Sequence, residues 1–563
     1  MAARDRSRLD PEQRRRAVAA IAERTFDLVV IGGGITGAGT ALDAAGRGLS
    51  VVLLEARDLA SGTSSRSGKI FHGGLRYLEQ LNLSLVHEAL KERGLMVARL
   101  CPHLTEPEPF LYPFTRRWER PYVGAGVLLY DLLRLTGTRS VRGHHHLGRR
   151  GALRVMPALR PDITGAVQYY DVRVDDARHT MTVARTAAAY GAEVVTRAEV
   201  VGLLRDGERV VGARARDAET GRDFAVRARA VVNASGVWAD RVQRLAGEPS
   251  VDVTPAKGIH LVVPGDRIDS ATGLIARAGD SVFIIRRWFD YWLLGTTDTR
   301  WDESRDDPAA TRADAEYLLS HANRWLRHPL GWDDVVGYYA GLRPLVSGRG
   351  RSTAALSRDH LVTEAPPGLV TVVGGKYTTY RVMARDAVDA AVAGFCPPPP
   401  PSCTELLPLV GADGMPALRN SRSRLAAESG LSTAWIDHLI GRYGARTSEL
   451  LDLAADDPAL RRPVPGAPGY LGVEFAYAAS HEGALHLDDL LVRRTRVAME
   501  AGDGGCAAAV AVAELVADTL GWDEAQQREE VERFAVEVAA DREAAAAPDD
   551  AAAAAVRAKV RGT

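Results

Sequence analysis

"FDLVVIGGGITGAGTALDAAGRGLSVVLLEA", residues 26–56, decides the fold. Residues 26–31 form a short apolar run, a glycine cluster follows, and the next segment places Ala, Leu and Gly at helical spacing before "SVVLLE" returns as a second apolar run. The pattern predicts strand, turn, helix, strand. Gly32, Gly34 and Gly37 make a GxGxxG immediately after the first strand, and Glu55 closes the second. In that order and spacing they predict a dinucleotide site. Glycine lets the backbone approach a pyrophosphate, whose charge faces the helix N-terminus, and an acidic residue at the end of the next strand accepts hydrogen bonds from ribose hydroxyls. Gly33, Ile35, Thr36 and Ala56 belong to the same turn and strand end.

Two more strand-to-glycine units lie downstream. "ARAVVNASGVWAD" (228–240) offers Ala234, Ser235 and Gly236 after a strand, and "GLVTVVGGKYTTYRVMARDAVDAAV" (368–392) places Gly374 and Gly375 before a helix. An NAD dehydrogenase needs one fingerprint, whereas FAD is longer and threads several segments. A helix N-terminus near the flavin pyrimidine also stabilises an anionic reduced ring. The cofactor expected is therefore FAD.

The three units predict one discontinuous α/β Rossmann-type FAD domain (26–100, 166–249 and 346–395) with insertions at 101–165 and 250–345. The β-branched and aromatic runs of the second insertion predict an antiparallel-sheet substrate domain. An N-terminal extension (1–25) precedes them. The proline run 396–403, "CPPPPPSC", reads as a stiff linker to a C-terminal all-α domain (404–540). The Ala-rich tail, 541–563, reads as disordered or a frayed helix.

Composition excludes several partners. Net charge is −1 over 563 residues, so nothing points to nucleic acid. The four cysteines are sparse and lack metal spacing, and His144–His146 sit amid Arg and Gly as an exposed loop, so no metal is expected. No apolar run reaches the ~20 residues of a spanning helix. The chain has 66 Arg and 5 Lys, and Lys69, Lys257 and Lys376 all fall in the motifs below. Lysine is then expected where a compact ammonium matters.

"SGTSSRSGKIFHGGLRYLE" (61–79) packs hydroxyls, glycines, Lys, His and Arg-Tyr into nineteen positions. Together with "DVRVDDARHT", "NASGVWAD", "KGIHLVV", "AGLRPL" and "GGKYTTYR", it resembles the FAD-dependent glycerol-3-phosphate dehydrogenase/oxidase family over about residues 26–395. Gly68 and Phe71 depart from residues common in that family without removing a chemical group.

The resemblance implies oxidation of sn-glycerol 3-phosphate to dihydroxyacetone phosphate by hydride transfer from C2 to flavin N5. It also implies electrons passed to membrane quinone by a homodimer held peripherally on the cytoplasmic face of the cell membrane. It places Ser61, Thr63, Ser64, Ser65, Ser67 and Lys69 at the flavin. Arg76, Tyr77, Arg343 and Lys376 would hold the substrate phosphate, with Thr378 and Lys257 as further substrate contacts and Lys376 also touching the flavin. A phosphate dianion calls for such guanidinium forks and ammonium groups. His72 or His260 would take the hydroxyl proton, and Arg343 would stabilise alkoxide charge. Open alternatives are an oxidase using O₂, an amino-acid-oxidase-like flavoenzyme and a non-catalytic flavin module.

Overall fold

Thr25–Ile31, Ile35–Gly46 and Val51–Leu54 are the strand, helix and strand of the opening stretch in the computed structural model, which describes residues 5–21, 23–74, 83–116, 118–134, 141–278, 281–346 and 360–561. The two strands are buried and lie parallel in a sheet whose order is His360–Glu364, Leu369–Gly374, Asp223–Asn233, Thr25–Ile31, Val51–Leu54, Glu193–Val195. Only His360–Glu364, at one edge, runs antiparallel along that path. One face packs under the helices Ile35–Gly46, Asp176–Ala189 and Tyr380–Val392, through Leu28, Val30, Ala38, Ala41, Met181 and Ala387 among others. The hairpin Ala198–Asp206 and Arg209–Asp217 covers the other, and Ala17 and Ile21 of the N-terminal helix Pro11–Ile21 pack with it. The carboxyl ends of the parallel strands are thereby aligned along one edge, the place where such sheets bind ligands.

The second sheet is antiparallel but for one pair. Val253–Pro264 runs between Gly337–Val346 and Tyr291–Gly295, with Ser281–Trp288, Gly273–Ala278 and Thr105–Phe114 beyond. The expected boundary at 165/166 moves: Gly165–Val174 pairs with Thr105–Phe114, and Ile70–Phe71 pairs with Gly165–Val174, so both join this sheet. The histidines expected in a loop lie partly in its edge strand, His145–Gly148.

Helices from Met415–Asn420 to Asp550–Arg561 form the C-terminal part. The linker is laid along the cofactor domain, with the Ser402 hydroxyl donating to Asp43 and Cys403 Sγ on the Gly46 carbonyl. Buried ion pairs fasten the helices to that domain: Arg494 forks onto Asp58 at 2.6 and 2.7 Å, Arg178 onto Glu482 at 2.9 and 3.0 Å, and Arg496 reaches Asp175 and Asp176, each at 2.5 Å. Of the two readings of the tail, disorder or a frayed helix, the structure has helix. Residues 541–561 form the end of the helix Glu524–Ala546, a short turn and the helix Asp550–Arg561, and Ala544, Ala547 and Ala553 bury themselves on Ala309. Alanine is the best helix former, and its small face allows close packing.

Candidate functional site

A cavity of about 750 Å³ opens at the carboxyl ends of the parallel strands, against the second sheet. Its wall gathers Gly32, Gly34, Ile35, Thr36, Glu55, Ala56, Ser61, Thr63, Ser64, Ser67, Ala234, Ser235, Gly236, Gly374, Gly375 and Lys376, with His72, His260 and Arg343. Strand order sets Glu55 and Lys376 on opposite sides of the crevice, two strands between them.

The fingerprint is built for a close backbone approach. A Cβ on Gly37 would collide with the Gly32 carbonyl oxygen, so glycine closes this turn. The helix Ile35–Gly46 starts at Gly34 without a side-chain cap, and Ser64 Oγ accepts the Ile35 N–H at 2.9 Å. Gly34, Ile35 and Thr36 line the cavity, so the positive end of the helix dipole lies at its wall. Glu55 accepts the Gly33 N–H at 2.5 Å and the Arg57 N–H at 2.8 Å, and burial raises its pKa. An uncapped helix start, a glycine cradle and a strand-end carboxylate fit the pyrophosphate and ribose of FAD.

The Ser/Thr run folds back over the crevice. Thr63 Oγ1 donates to the Leu342 carbonyl at 2.6 Å, and Ser67 Oγ to Asp176 at 2.7 Å. On the second sheet, His260 is buried and stacks on Tyr339 with ring centroids 4.9 Å apart. Burial, then the charges of Arg343 and Lys69, hold His260 down at about 3, so its ring is neutral at physiological pH. Its Nδ1 has no hydrogen-bond partner among the described residues. Arg343 lies over Gly258 and donates to Thr296 Oγ1 at 2.9 Å and Asp298 at 3.4 Å, which fixes the fork toward the cavity.

Several expected contacts stand elsewhere. Lys257 does not line the cavity: it is fully buried between Asp314, at 2.5 Å, and Asp550. Lys69 is likewise a buried anchor, bonded to Asp176 at 2.8 Å and the Ser65 carbonyl at 3.0 Å. Burial and the adjacent Arg496 push it down to about 8. Ser65 is buried beneath the loop. Thr378 donates to the His72 carbonyl at 3.3 Å, which makes it a brace for that loop. Gly33 and Gly37 shape the turn behind the wall. Arg76 and Tyr77 lie outside the described residues.

The structure adds Tyr339, Trp238 and Arg66. Trp238 and Arg66 line the cavity, and Tyr339 donates to the Ser67 carbonyl at 3.0 Å while backing His260. Trp238 stands inside "NASGVWAD" and Tyr339 two residues before "GLRPL", where proximity to a motif was a usable signal. Arg496, beneath the same loop, carries no local signal.

The fold and this cavity define a flavoprotein oxidoreductase. The model of the family "FAD dependent oxidoreductase" matches residues 27–381, and that of the "C-terminal domain of alpha-glycerophosphate oxidase" matches 402–527. The chain belongs to the FAD-dependent glycerol-3-phosphate dehydrogenase family and is an enzyme of that kind. It is 52% identical to "Glycerol-3-phosphate dehydrogenase 2" of Mycobacterium tuberculosis over 553 residues, 98% of this chain and 94% of that protein. It is 37% identical to the mitochondrial glycerol-3-phosphate dehydrogenase of Mus musculus, covering 90% of this chain and 72% of that one. The solved glycerol-3-phosphate dehydrogenase of Bacillus halodurans, complexed with FAD, superposes with a TM-score of 0.78 at 29% identity, covering 94% of this chain and 97% of that chain.

Proposed function

We propose that the enzyme oxidises sn-glycerol 3-phosphate at C2 to dihydroxyacetone phosphate and passes the electrons to membrane quinone, as a homodimer held peripherally on the inner face of the cell membrane. The observation that carries the reading is that Arg343, Lys376, His72 and His260 line the same cavity as the dinucleotide turn.

Bound FAD supplies the two-electron acceptor that takes the C2 hydrogen as hydride. Arg343 and Lys376 hold the phosphate dianion, the guanidinium with paired hydrogen bonds and the ammonium with a point charge. A neutral imidazole, His260 or His72, receives the C2 hydroxyl proton. His260 has the protonation state for this role. Arg343 also favours the developing alkoxide, and the apolar strands around His260 keep water away from it. Gly32–Gly37, Glu55, Ser61–Ser67, Ala234–Gly236 and Gly374–Gly375 hold the cofactor.

The test is anaerobic addition of sn-glycerol 3-phosphate to the yellow protein. Bleaching of the flavin band is expected, followed by reoxidation on adding a quinone analogue. A flavin that stays yellow would overturn the reading. Bleached enzyme that reoxidises only with O₂, releasing peroxide, would replace quinone by oxygen.

A further inference from the structure

The helix Glu119–Arg134 gives only one side to the protein. Val127 is buried with Phe110, Phe114 and Tyr169, and Tyr130 sets its ring edge-on to Tyr169. The other side is apolar and open: Trp118, Tyr122 and Leu128 are 58%, 55% and 53% exposed, with Leu129 beside them. Large apolar side chains clustered on an exposed helix mark an interaction surface.

Its charge names the partner. Between residues 115 and 154 the sequence carries nine arginines against two acids, in a chain of net charge −1. Exposed Arg116 and Arg120 alternate with the aromatic pair Trp118 and Tyr122, and exposed Arg142, Arg149 and Arg150 follow on the adjoining segment. Gly124 packs against the His146 ring, so helix and segment share one face.

A second copy docking here about a two-fold axis would set this basic face against itself, which like charge opposes. A polyanion such as nucleic acid would satisfy the arginines and leave Leu128 and Leu129 in water. An anionic bilayer satisfies both, since aromatic and aliphatic side chains enter the boundary between headgroups and chains while arginines meet lipid phosphates. We propose that Trp118 and the face of Glu119–Arg134 bearing Tyr122, Leu128 and Leu129 dock the enzyme on an anionic lipid surface. This deepens the membrane-acceptor part of the reading above.

The docked helix also adjoins the site. Tyr130, on its inner side, donates to Asp171 at 3.0 Å, and the same carboxylate oxygen accepts the N–H of Gly73, next to His72, at 3.2 Å. Docking through this face therefore sets the membrane beside the wall of the cavity that bears His72.

The experiment uses the full-length holoenzyme in flotation with vesicles of phosphatidylcholine alone or mixed with phosphatidylglycerol. Binding to the mixed vesicles is expected, weakened by salt and weak on phosphatidylcholine. Trp118→Ser with Leu128→Ser, and separately Arg116→Glu with Arg120→Glu, should each lower the partition about tenfold or more. Val510→Ser, an equally exposed apolar site on the C-terminal helices, should leave it unchanged. Bleaching by sn-glycerol 3-phosphate and turnover with a water-soluble acceptor, measured on every variant, report folding and the catalytic reading separately. Wild-type binding that survives both double variants would overturn the docking face, as would failure of active wild-type enzyme to bind anionic vesicles. If it does not bind, and the same variants instead shrink its oligomer in light scattering, the face is a subunit contact.

Discussion

Replacing Arg343 by alanine isolates the phosphate-binding role. The guanidinium is oriented by Thr296 and Asp298, lies over Gly258 and lines the cavity. Its loss removes at least one charge-assisted hydrogen bond to the substrate, about 1.5–3 kcal/mol. At about 1.4 kcal/mol per factor of ten, kcat/KM for glycerol 3-phosphate should fall about 10- to 150-fold, and further where both arms of the fork are used. Glycerol, which offers no phosphate, should lose far less, so the ratio of the two kcat/KM values is the informative quantity. A second signature is independent of binding. After burial, Arg343 is the largest influence holding the His260 pKa at about 3, and its removal should move that pKa upward. Where His260 takes the proton, the acid limb of the pH profile should then move to higher pH. The assay is steady-state turnover of both substrates from pH 3 to 9 with flavin content read by absorbance. Full flavin content with an unchanged phosphorylated-to-unphosphorylated ratio would refute the assignment of Arg343.

Gly34→Val should give colourless protein, because a Cβ there already comes within 3.2 Å of Ser64 Oγ and the added methyls occupy the pyrophosphate approach; a stoichiometric yellow variant would contradict this. His486 bridges Glu219 at 3.0 Å and Glu530 at 2.9 Å, and against its burial those bonds raise it to about 9. A folded pKa above the unfolded value gives stability that is full below about pH 6.5 and lost as pH rises through 9. With Arg533 nearby opposing the charge, His486→Gln should cost about 2 kcal/mol at pH 6 and little at pH 10, measured by denaturant unfolding. Lys257→Met should loosen the C-terminal helix Asp550–Arg561, because Asp314 and Asp550 lose their shared cation; limited proteolysis should cut that end first, while KM for glycerol 3-phosphate stays near wild type.

The cofactor turn was legible because its chemistry is local. Glycines, helix start and strand-end carboxylate lie within two dozen residues, and each has a backbone reason to be where it is. Lys69 and Lys257 show where that ends. The scarcity of lysine rightly marked them as special, but their partners, Asp176 and Asp314, are 107 and 57 residues away, so structural ammonium groups looked like a flavin contact and a substrate contact. Nothing local in the run "RRTR", 493–496, shows that three of its members are buried against Asp58, Asp175 and Asp176. Composition left the alanine-rich tail open between disorder and a frayed helix, since small side chains that predict no core by themselves pack well on the alanine of another element. The second sheet was legible in type but not in extent, because Ile70–Phe71 is too short to show a period.

The arginine run has a consequence for synthesis. Asp58, Asp175 and Asp176 leave the ribosome hundreds of residues before Arg493, Arg494 and Arg496 can reach them. Until then the loop that folds over the cofactor cavity would bury carboxylates short of their counter-ions, which strongly disfavours the closed form. A nascent chain can thus complete the first βαβ turn early yet close the Ser/Thr loop only after most of the C-terminal helices have emerged. Stable flavin capture becomes a late event in the life of the polypeptide, and a chain released before residue 496 should fail to retain the cofactor even though every glycine of the fingerprint is present.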